Sequence, residues 1–288
     1  MEWSQRRRQF RAVLAGSRCV HPGSVFDPLS ARIAEELGFE IGMFAGSVAS
    51  FTVLGAPDLI LLTLTEFAAQ AHRICRASGL PLLVDADHGY GNALNAKRTV
   101  EELENAGVAG LTIEDSVLPA AYGEKAGLRL VPVAEAVGKL RAGLLGRQDP
   151  ALAIVGRTGA LPAAGLEETL ARIKAYEAAG ADAIFVLGVK TRAELDAIAA
   201  VARTPLVLGG AGPEVMALDY LSARGVRICL QGHQPFMAAL RAVHDTLKAL
   251  REGTKPAELP GLASPTLLAR VTREEEHRRW STEFLGRG

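Results

Sequence analysis

The stretch Leu82-Leu83-Val84-Asp85-Ala86-Asp87-His88-Gly89-Tyr90-Gly91-Asn92 joins an apolar run to two carboxylates and a glycine-rich turn. The run Leu82-Leu83-Val84 reads as a buried strand. Residues i and i+2 of a strand point the same way, so Asp85 and Asp87 are expected to project together from its carboxyl end. Two like charges that close repel each other unless a cation or a proton sits between them. Hard oxygen ligands with no cysteine nearby favour a hard divalent ion such as Mg²⁺, with Mn²⁺ as a substitute.

Outward from this stretch the chain alternates short apolar strands with helical segments. Strands are predicted over 19–26, 40–45, 82–87, 110–114, 152–157, 183–187, 206–208 and 226–230. Helices are predicted over 28–37, 65–78, 93–106, 133–145, 165–179, 192–202, 214–223 and 235–250, with an amphipathic helix over 3–16 before the first strand. Eight strand–helix units in unbroken order predict an α/β fold, a (β/α)8 TIM-type barrel. The 288 residues fit one such domain, 1–288, including a C-terminal helical extension over 260–288. A doubly wound open sheet is the alternative, but the phosphate fingerprint it needs after the first strand is missing. The tail after Pro260 carries Leu267, Leu268, Val271, Trp280 and Phe284 among many charges. Such a helix packs either on its own barrel or on a neighbouring subunit.

Composition narrows the function classes. With 49% hydrophobic and 22% charged residues, the chain suits a packed α/β globule rather than a disordered one. Lys+Arg and Asp+Glu both number 32, so no global charge pulls the protein to nucleic acid or to an anionic membrane. No apolar run approaches the roughly 18 residues needed to span a bilayer. Cys19, Cys75 and Cys229 are too few and too widely spaced for a disulfide framework or a zinc pattern. The segment Ser4 to Phe10 faintly resembles a twin-arginine export signal. The apolar stretch after it, Ala12-Val13-Leu14-Ala15, is too short, and Arg18 interrupts it. A cytoplasmic location is expected.

Active sites of such barrels lie where the carboxyl ends of the strands meet. The polar residues expected there are Gly46-Ser47, Asp85 and Asp87, Glu114-Asp115, Arg157-Thr158, and Gln231-Gly232-His233. Each has an ordinary reading alone: Ser47 or the aspartates as helix caps, Glu114 or Arg157 as half of a structural ion pair, His233 as a structural histidine. Three carboxylates, an arginine and a histidine at one mouth point instead to an anionic, oxygen-rich substrate. Asp85, Asp87 and Glu114 would hold Mg²⁺, directly or through waters. The ion would polarise a ketone or carboxylate oxygen. Arg157 would clamp a carboxylate with its planar fork, and backbone N–H groups near Gly46-Ser47 would hold a developing oxyanion. The aperiodic segment from Ser116 to Leu130 is expected to form a lid. The loop Gly209-Gly210-Ala211-Gly212-Pro213 also admits a phosphate-binding reading, against which stand the lack of a nearby Lys and of a helix-opening Ser.

These residues, in this order, resemble the phosphoenolpyruvate mutase/isocitrate lyase superfamily. The landmarks are Phe26-Asp27-Pro28-Leu29-Ser30-Ala31, Gly46-Ser47-Val48, Pro57-Asp58, Asp85-Ala86-Asp87-His88-Gly89-Tyr90-Gly91, Ile113-Glu114-Asp115 and Arg157-Thr158. The resemblance implies a barrel with a divalent metal, 2-oxo-acid or enolate chemistry, and a homotetramer (a dimer of dimers) whose C-terminal helix is exchanged between subunits. The carbon–carbon lyases of the superfamily carry a lid cysteine; here the lid reads Tyr122-Gly123-Glu124-Lys125-Ala126-Gly127. The pattern Ser24-Val25-Phe26-Asp27-Pro28, Gly46 to Ser50, Asp87 to Asn95 and Gly232-His233 is most similar to the bacterial oxaloacetate decarboxylase branch. That branch implies Mg-dependent loss of CO₂ from oxaloacetate through an enolate. By this resemblance Asp85 ligates the metal, and Ser47, Arg157 and His233 contact the substrate; Gly46 and Asp58 are further candidates for the binding site. Two positions depart from the branch: Gly159 stands where Asn usually follows Arg-Thr, and the loop after the seventh strand lacks its usual Tyr. A carbon–carbon lyase acting on a substituted malate, a phosphonopyruvate-processing enzyme, and a non-catalytic barrel that binds a 2-oxo acid stand as alternatives.

Overall fold

A computed structural model describes residues 3–123 and 127–286. Eight parallel strands run in sequence order through one sheet: β1 (Gly23–Ser24), β2 (Gly42–Phe44), β3 (Leu82–Asp85), β4 (Gly110–Glu114), β5 (Ala153–Thr158), β6 (Ala183–Leu187), β7 (Leu206–Gly209) and β8 (Val226–Cys229). A parallel bridge between Val20 and Ile228 brings the last strand back beside the first, curling the sheet into a TIM-like α/β barrel. Parallel strands covered by helices bury both faces, and β3 and β4 are buried at every position.

The helices are α1 (Trp3–Ala15), α2 (Pro28–Glu36), α3 (Gly46–Ala49), α4 (Leu64–Ala77), α5 (Ala93–Asn105), α6 (Val133–Gly146), α7 (Ala160–Ala164), α8 (Leu166–Ala179), α9 (Arg192–Val201), α10 (Leu218–Ala223), α11 (Gln234–Arg251), α12 (Pro265–Val271) and α13 (Glu274–Leu285). Four of them open on reciprocal capping boxes: Asp27 with Ser30, Thr63 with Glu66, Asn92 with Asn95, and Thr191 with Glu194. Each box satisfies N–H groups that the first turn leaves without partners. It thereby fixes where a loop at the carboxyl end of a strand becomes helix.

The chain forms two compact units, Met1–His233 and Gln234–Gly288. Within the first, α1 carries three arginines to backbone carbonyls at the amino-terminal strand ends. Arg6 bonds the Cys75 carbonyl, Arg7 that of Val108 and Arg11 that of Leu152. Phe10 is fully buried, and a side chain on Gly110 would meet its ring at 2.8 Å. The second unit consists of α11, α12, α13 and the turns between them. Helix α11 buries no side chain, and Met237, Leu240, Val243 and Leu247 along it are exposed.

Several elements differ from the sequence expectation. The first strand shrinks from 19–26 to Gly23–Ser24, because Pro22 has no N–H to give the ladder. The helix expected over 214–223 divides into a 3₁₀ turn, Pro213–Val215, and α10. The segment after β2, where only Gly46-Ser47 were read, as a strand end, winds into α3 and a π-helical turn, Ser50–Leu54.

Candidate active site

A cavity of about 220 Å³ opens at the carboxyl ends of the strands, with Ser24, Ser47, Asp58, Asp85, Arg157 and His233 in its wall. A larger open cleft of about 810 Å³ lies at the opposite end of the strands, between Leu14, Arg203, Arg224 and Arg227. It holds none of the clustered carboxylates, so the smaller cavity is the candidate site.

Asp85 is the last residue of β3 and is nearly buried. The Thr112 hydroxyl on the neighbouring strand donates to its Oδ1 at 2.9 Å. Asp87 reaches the same mouth by a different route from the one its spacing implies. Its φ is +46°, a left-handed backbone, so strand alternation stops before it. A turn delivers its carboxylate toward α3, where a Cβ on Gly46 would stand 2.6 Å from Asp87 Oδ1. Glycine at 46 is therefore a condition of this approach.

Glu114 ends β4, and Arg157 lies opposite it in the parallel register of β5. Arg157 Nη2 donates to Glu114 Oε2 at 2.8 Å, and Nη1 donates to Asp85 Oδ2. The fork expected to hold a substrate carboxylate thus bridges two protein carboxylates. The Arg157 Nε is buried with no hydrogen-bond partner, and the guanidinium carbon lies 5.5 Å from the centre of the Phe185 ring. His233 sits between two hydroxyls, with Nε2 3.3 Å from Ser47 Oγ and Nδ1 3.4 Å from Ser24 Oγ. Burial lowers its pKa, against the pull of Asp85 and Asp58, which favours the neutral ring.

The carboxylates outnumber the cations. Burial, then the charges of Asp85, Glu114 and Asp58, pushes the Asp87 carboxyl well above its ordinary range. Burial raises Glu114 as well, opposed by Arg157. Asp58, at the cavity rim, is raised by desolvation and by Asp85. Among the described residues no three His, Cys, Asp or Glu side chains are already gathered into a ligand shell; Arg157 bridges Asp85 and Glu114 instead. The donor set nonetheless fits a hard divalent cation. It is all oxygen, it carries excess negative charge, and Gly46 leaves Asp87 room at the mouth.

The two departures from the expected pattern have local counterparts. A Cβ on Gly159 would lie 2.5 Å from Leu128 Cδ2, so an apolar side chain of the 116–130 segment fills the place of a polar one. Gly210, after β7, has φ +59°. Glu124, Lys125 and Ala126 of the expected lid lie outside the described residues.

Three participants, Ser24, Tyr90 and Lys139, were not named as site candidates, whereas Asp115, expected at the mouth, bonds to residues outside the cavity wall. Ser24 lies at the end of β1, where inspection of the strand ends would have found it. Asp115 faces away from Glu114 and accepts hydrogen bonds from the Thr158 hydroxyl at 2.6 Å, Tyr176 at 2.7 Å and Arg172 at 3.1 Å. It ties β4 to β5 directly behind Arg157. Tyr90, in the turn after β3, has a buried hydroxyl without a partner. Lys139, on α6, donates to the His88 carbonyl at 3.1 Å. Lys139 shares a helix stripe with Ala136, Leu140 and Gly143, a lysine on an otherwise apolar face, and that signal was legible in the sequence.

Known proteins resemble this chain along its whole length. The family model described as phosphoenolpyruvate phosphomutase matches residues 10–251. A protein of Bradyrhizobium diazoefficiens named oxaloacetate decarboxylase is 58% identical over 286 residues, covering 99% of each chain. The crystal structure of phosphoenolpyruvate phosphomutase from Streptomyces platensis subsp. rosaceus superposes with a TM-score of 0.86 at 29% identity, covering 97% of this chain and 99% of that one. A phosphonopyruvate hydrolase solved in complex with oxalate and Mg⁺⁺ superposes with a TM-score of 0.85, also at 29% identity, over 97% of this chain and 99% of that one.

Proposed function

The chain belongs to the phosphoenolpyruvate phosphomutase family, and from that premise we propose that it is a carboxy-lyase converting oxaloacetate to pyruvate and CO₂. The observation that carries this reading is one small cavity with Ser47, Asp85, Arg157 and His233 in its wall, and Glu114 joined to Asp85 through Arg157. The full-length relative named oxaloacetate decarboxylase supports the choice of substrate.

Asp85, Asp87 and Glu114 are the residues that would hold Mg²⁺ or Mn²⁺. A divalent ion there supplies Lewis-acid stabilisation of negative charge on the substrate's C2 oxygen. An ion held there would share Asp85 and Glu114 with Arg157. Arg157, in the cavity wall, would direct its planar fork to the C4 carboxylate. Gly46 and Ser47 open α3, where the first N–H groups have no partner inside the helix. Their N–H groups would serve as donors to the oxygen that becomes negative as the C3–C4 bond breaks. His233, kept neutral and flanked by Ser24 and Ser47, orients the substrate without adding a competing charge. Asp58 closes the rim. The electron pair of the broken C3–C4 bond passes to the C2 oxygen as CO₂ leaves, and C3 then takes a proton from water to give pyruvate; stabilising that developing charge more than the ground-state ketone accelerates the reaction. No cysteine lies in the cavity wall, and all three are free and buried.

The exposed apolar stripe of α11 supports a homotetramer, a dimer of dimers, with C-terminal helices exchanged between subunits. No described helix is long and apolar enough to cross a membrane. The free thiols support the reducing cytoplasm as its location. A panel of oxaloacetate, methylisocitrate, dimethylmalate and phosphonopyruvate, each with Mg²⁺ and with a chelator, tests the reading. Mg²⁺-dependent turnover of oxaloacetate above the others is expected. Preference for another member would reassign the substrate, and tight oxalate binding with no turnover would make the protein a binding module.

A further inference from the structure

We propose that Lys139, outside the barrel mouth, is a positioning residue: its ammonium holds the left-handed turn that presents Asp87. The turn after β3 is conformationally demanding. Asp87, Gly89 and Tyr90 have φ values of +46°, +78° and +56°. Two of these three are not glycine, and such residues keep a left-handed backbone only when their surroundings hold them there.

The surroundings do so carbonyl by carbonyl. Ala86 O accepts from Gly89 N at 2.9 Å, and Asp87 O from Glu114 N at 2.9 Å. His88 O accepts from Lys139 Nζ at 3.1 Å, and Gly89 O from the Thr99 hydroxyl at 3.1 Å. Four consecutive carbonyls are thus satisfied, and Lys139 is the charged donor among the four. A hydrogen bond from a charged donor is stronger than one between neutral groups. Lys139 is only 3% exposed, so its ammonium forgoes most of its hydration to sit there. Its helix gives it no packing reason to be lysine, since Ala136, Leu140 and Gly143 share its buried stripe. It touches the His88 backbone rather than any group at the cavity, so it acts through the turn and not on the substrate. Glu135 and Glu114 are the acids that act on its charge. A fixed positive charge behind Glu114 also offsets part of the excess negative charge at the mouth.

This inference rests on the metal reading of Asp85, Asp87 and Glu114, and the test separates the two. Lys139→Met keeps the length of the stem and removes the ammonium; Lys139→Arg keeps a charged donor. Mn²⁺ is titrated into metal-free wild type and both variants, and amide hydrogen exchange is measured on the same metal-free proteins. For Lys139→Met the Mn²⁺ Kd is expected to rise about tenfold, the scale set by groups that orient metal ligands. Exchange over 86–92 is expected to accelerate while that over 93–105 is unchanged, and Lys139→Arg should recover most of both. Wild-type exchange over 86–92 or a wild-type Mn²⁺ Kd in Lys139→Met overturns the proposal. Wild type that takes up no Mn²⁺ overturns the metal reading instead, and the exchange comparison then decides on Lys139 by itself.

Discussion

The two ends of the barrel treat charge in opposite ways. At the amino-terminal end Arg6, Arg7 and Arg11 of α1 meet carbonyls or acids: Arg7 pairs with Asp149 at 2.9 Å, and the partly exposed Arg11 with Asp182 at 2.7 Å. Arg147 pairs with the other oxygen of Asp182, also at 2.7 Å. At the carboxyl end Asp58, Asp85, Asp87 and Glu114 surround one guanidinium. The proton affinities follow. Burial pushes Asp149 up, but hydrogen bonds from Arg7 and Ser4 bring it down to about 2. At the mouth Asp58, Asp87 and Glu114 are all raised. A matched network stabilises the fold, whereas an unmatched one stores affinity for a cation. The barrel keeps structure at one end and chemistry at the other.

The strongest challenge to this division is Phe10→Ala. Truncating a fully buried aromatic that packs over Gly110 is expected to cost about 3–5 kcal/mol of stability. Oxaloacetate turnover per folded molecule should stay at the wild-type level. Denaturant unfolding and activity measured on the same preparation check both halves, and a large kcat loss in the folded variant would break the separation of the ends.

A smaller effect of opposite sign is expected at the mouth. A carboxyl with a raised folded pKa stabilises the protein while protonated, and that contribution disappears as pH rises through the folded value. Asp87 and Glu114 are such groups, so the metal-free protein carries strain at neutral pH. Asp87→Asn should raise the metal-free Tm at pH 7 by about 2–4 °C, the shift that about 1 kcal/mol gives in a domain of this size. The gain should vanish below the ordinary carboxylate range of about 4. Asp149 has the reverse sign: its contribution is present above about 4 and is lost as pH falls through about 2. Thermal melts of wild type and variant across pH, in chelator, read this directly, and a variant less stable than wild type at pH 7 would count against the unmatched-charge account.

Most of the barrel was legible because its signals are local. β4 and β6 keep their predicted bounds, since each is an apolar run closed by turn residues. Capping boxes such as Asn92 with Asn95 announce helix starts within four residues. The residue types at the mouth were legible too, because strand ends converge in this fold. Their arrangement was not. Nothing in the spacing of Asp85 and Asp87 tells that Asp87 adopts φ +46°. Of the side-chain donors that hold that turn, Thr99 lies on the next helix, but Lys139 comes from a helix 51 residues on in sequence. The pairing of Arg157 with Asp85 and Glu114 likewise follows from strand register, which only the folded sheet sets. The α3 and π-turn segment has no periodicity to read, and its form depends on Asp87 arriving at Gly46.

A cation site formed by the unmatched carboxylates at the mouth makes decarboxylation depend on both the ion and Asp85. The direct measurement is pyruvate formation from oxaloacetate by wild type and Asp85→Ala, titrated with Mg²⁺ and repeated in excess chelator, with circular dichroism to verify the fold. Wild type should turn over only with the ion, and folded Asp85→Ala should lose at least about 10²-fold in kcat/KM at saturating Mg²⁺. Undiminished wild-type turnover in chelator, or wild-type kcat/KM in Asp85→Ala, would contradict it.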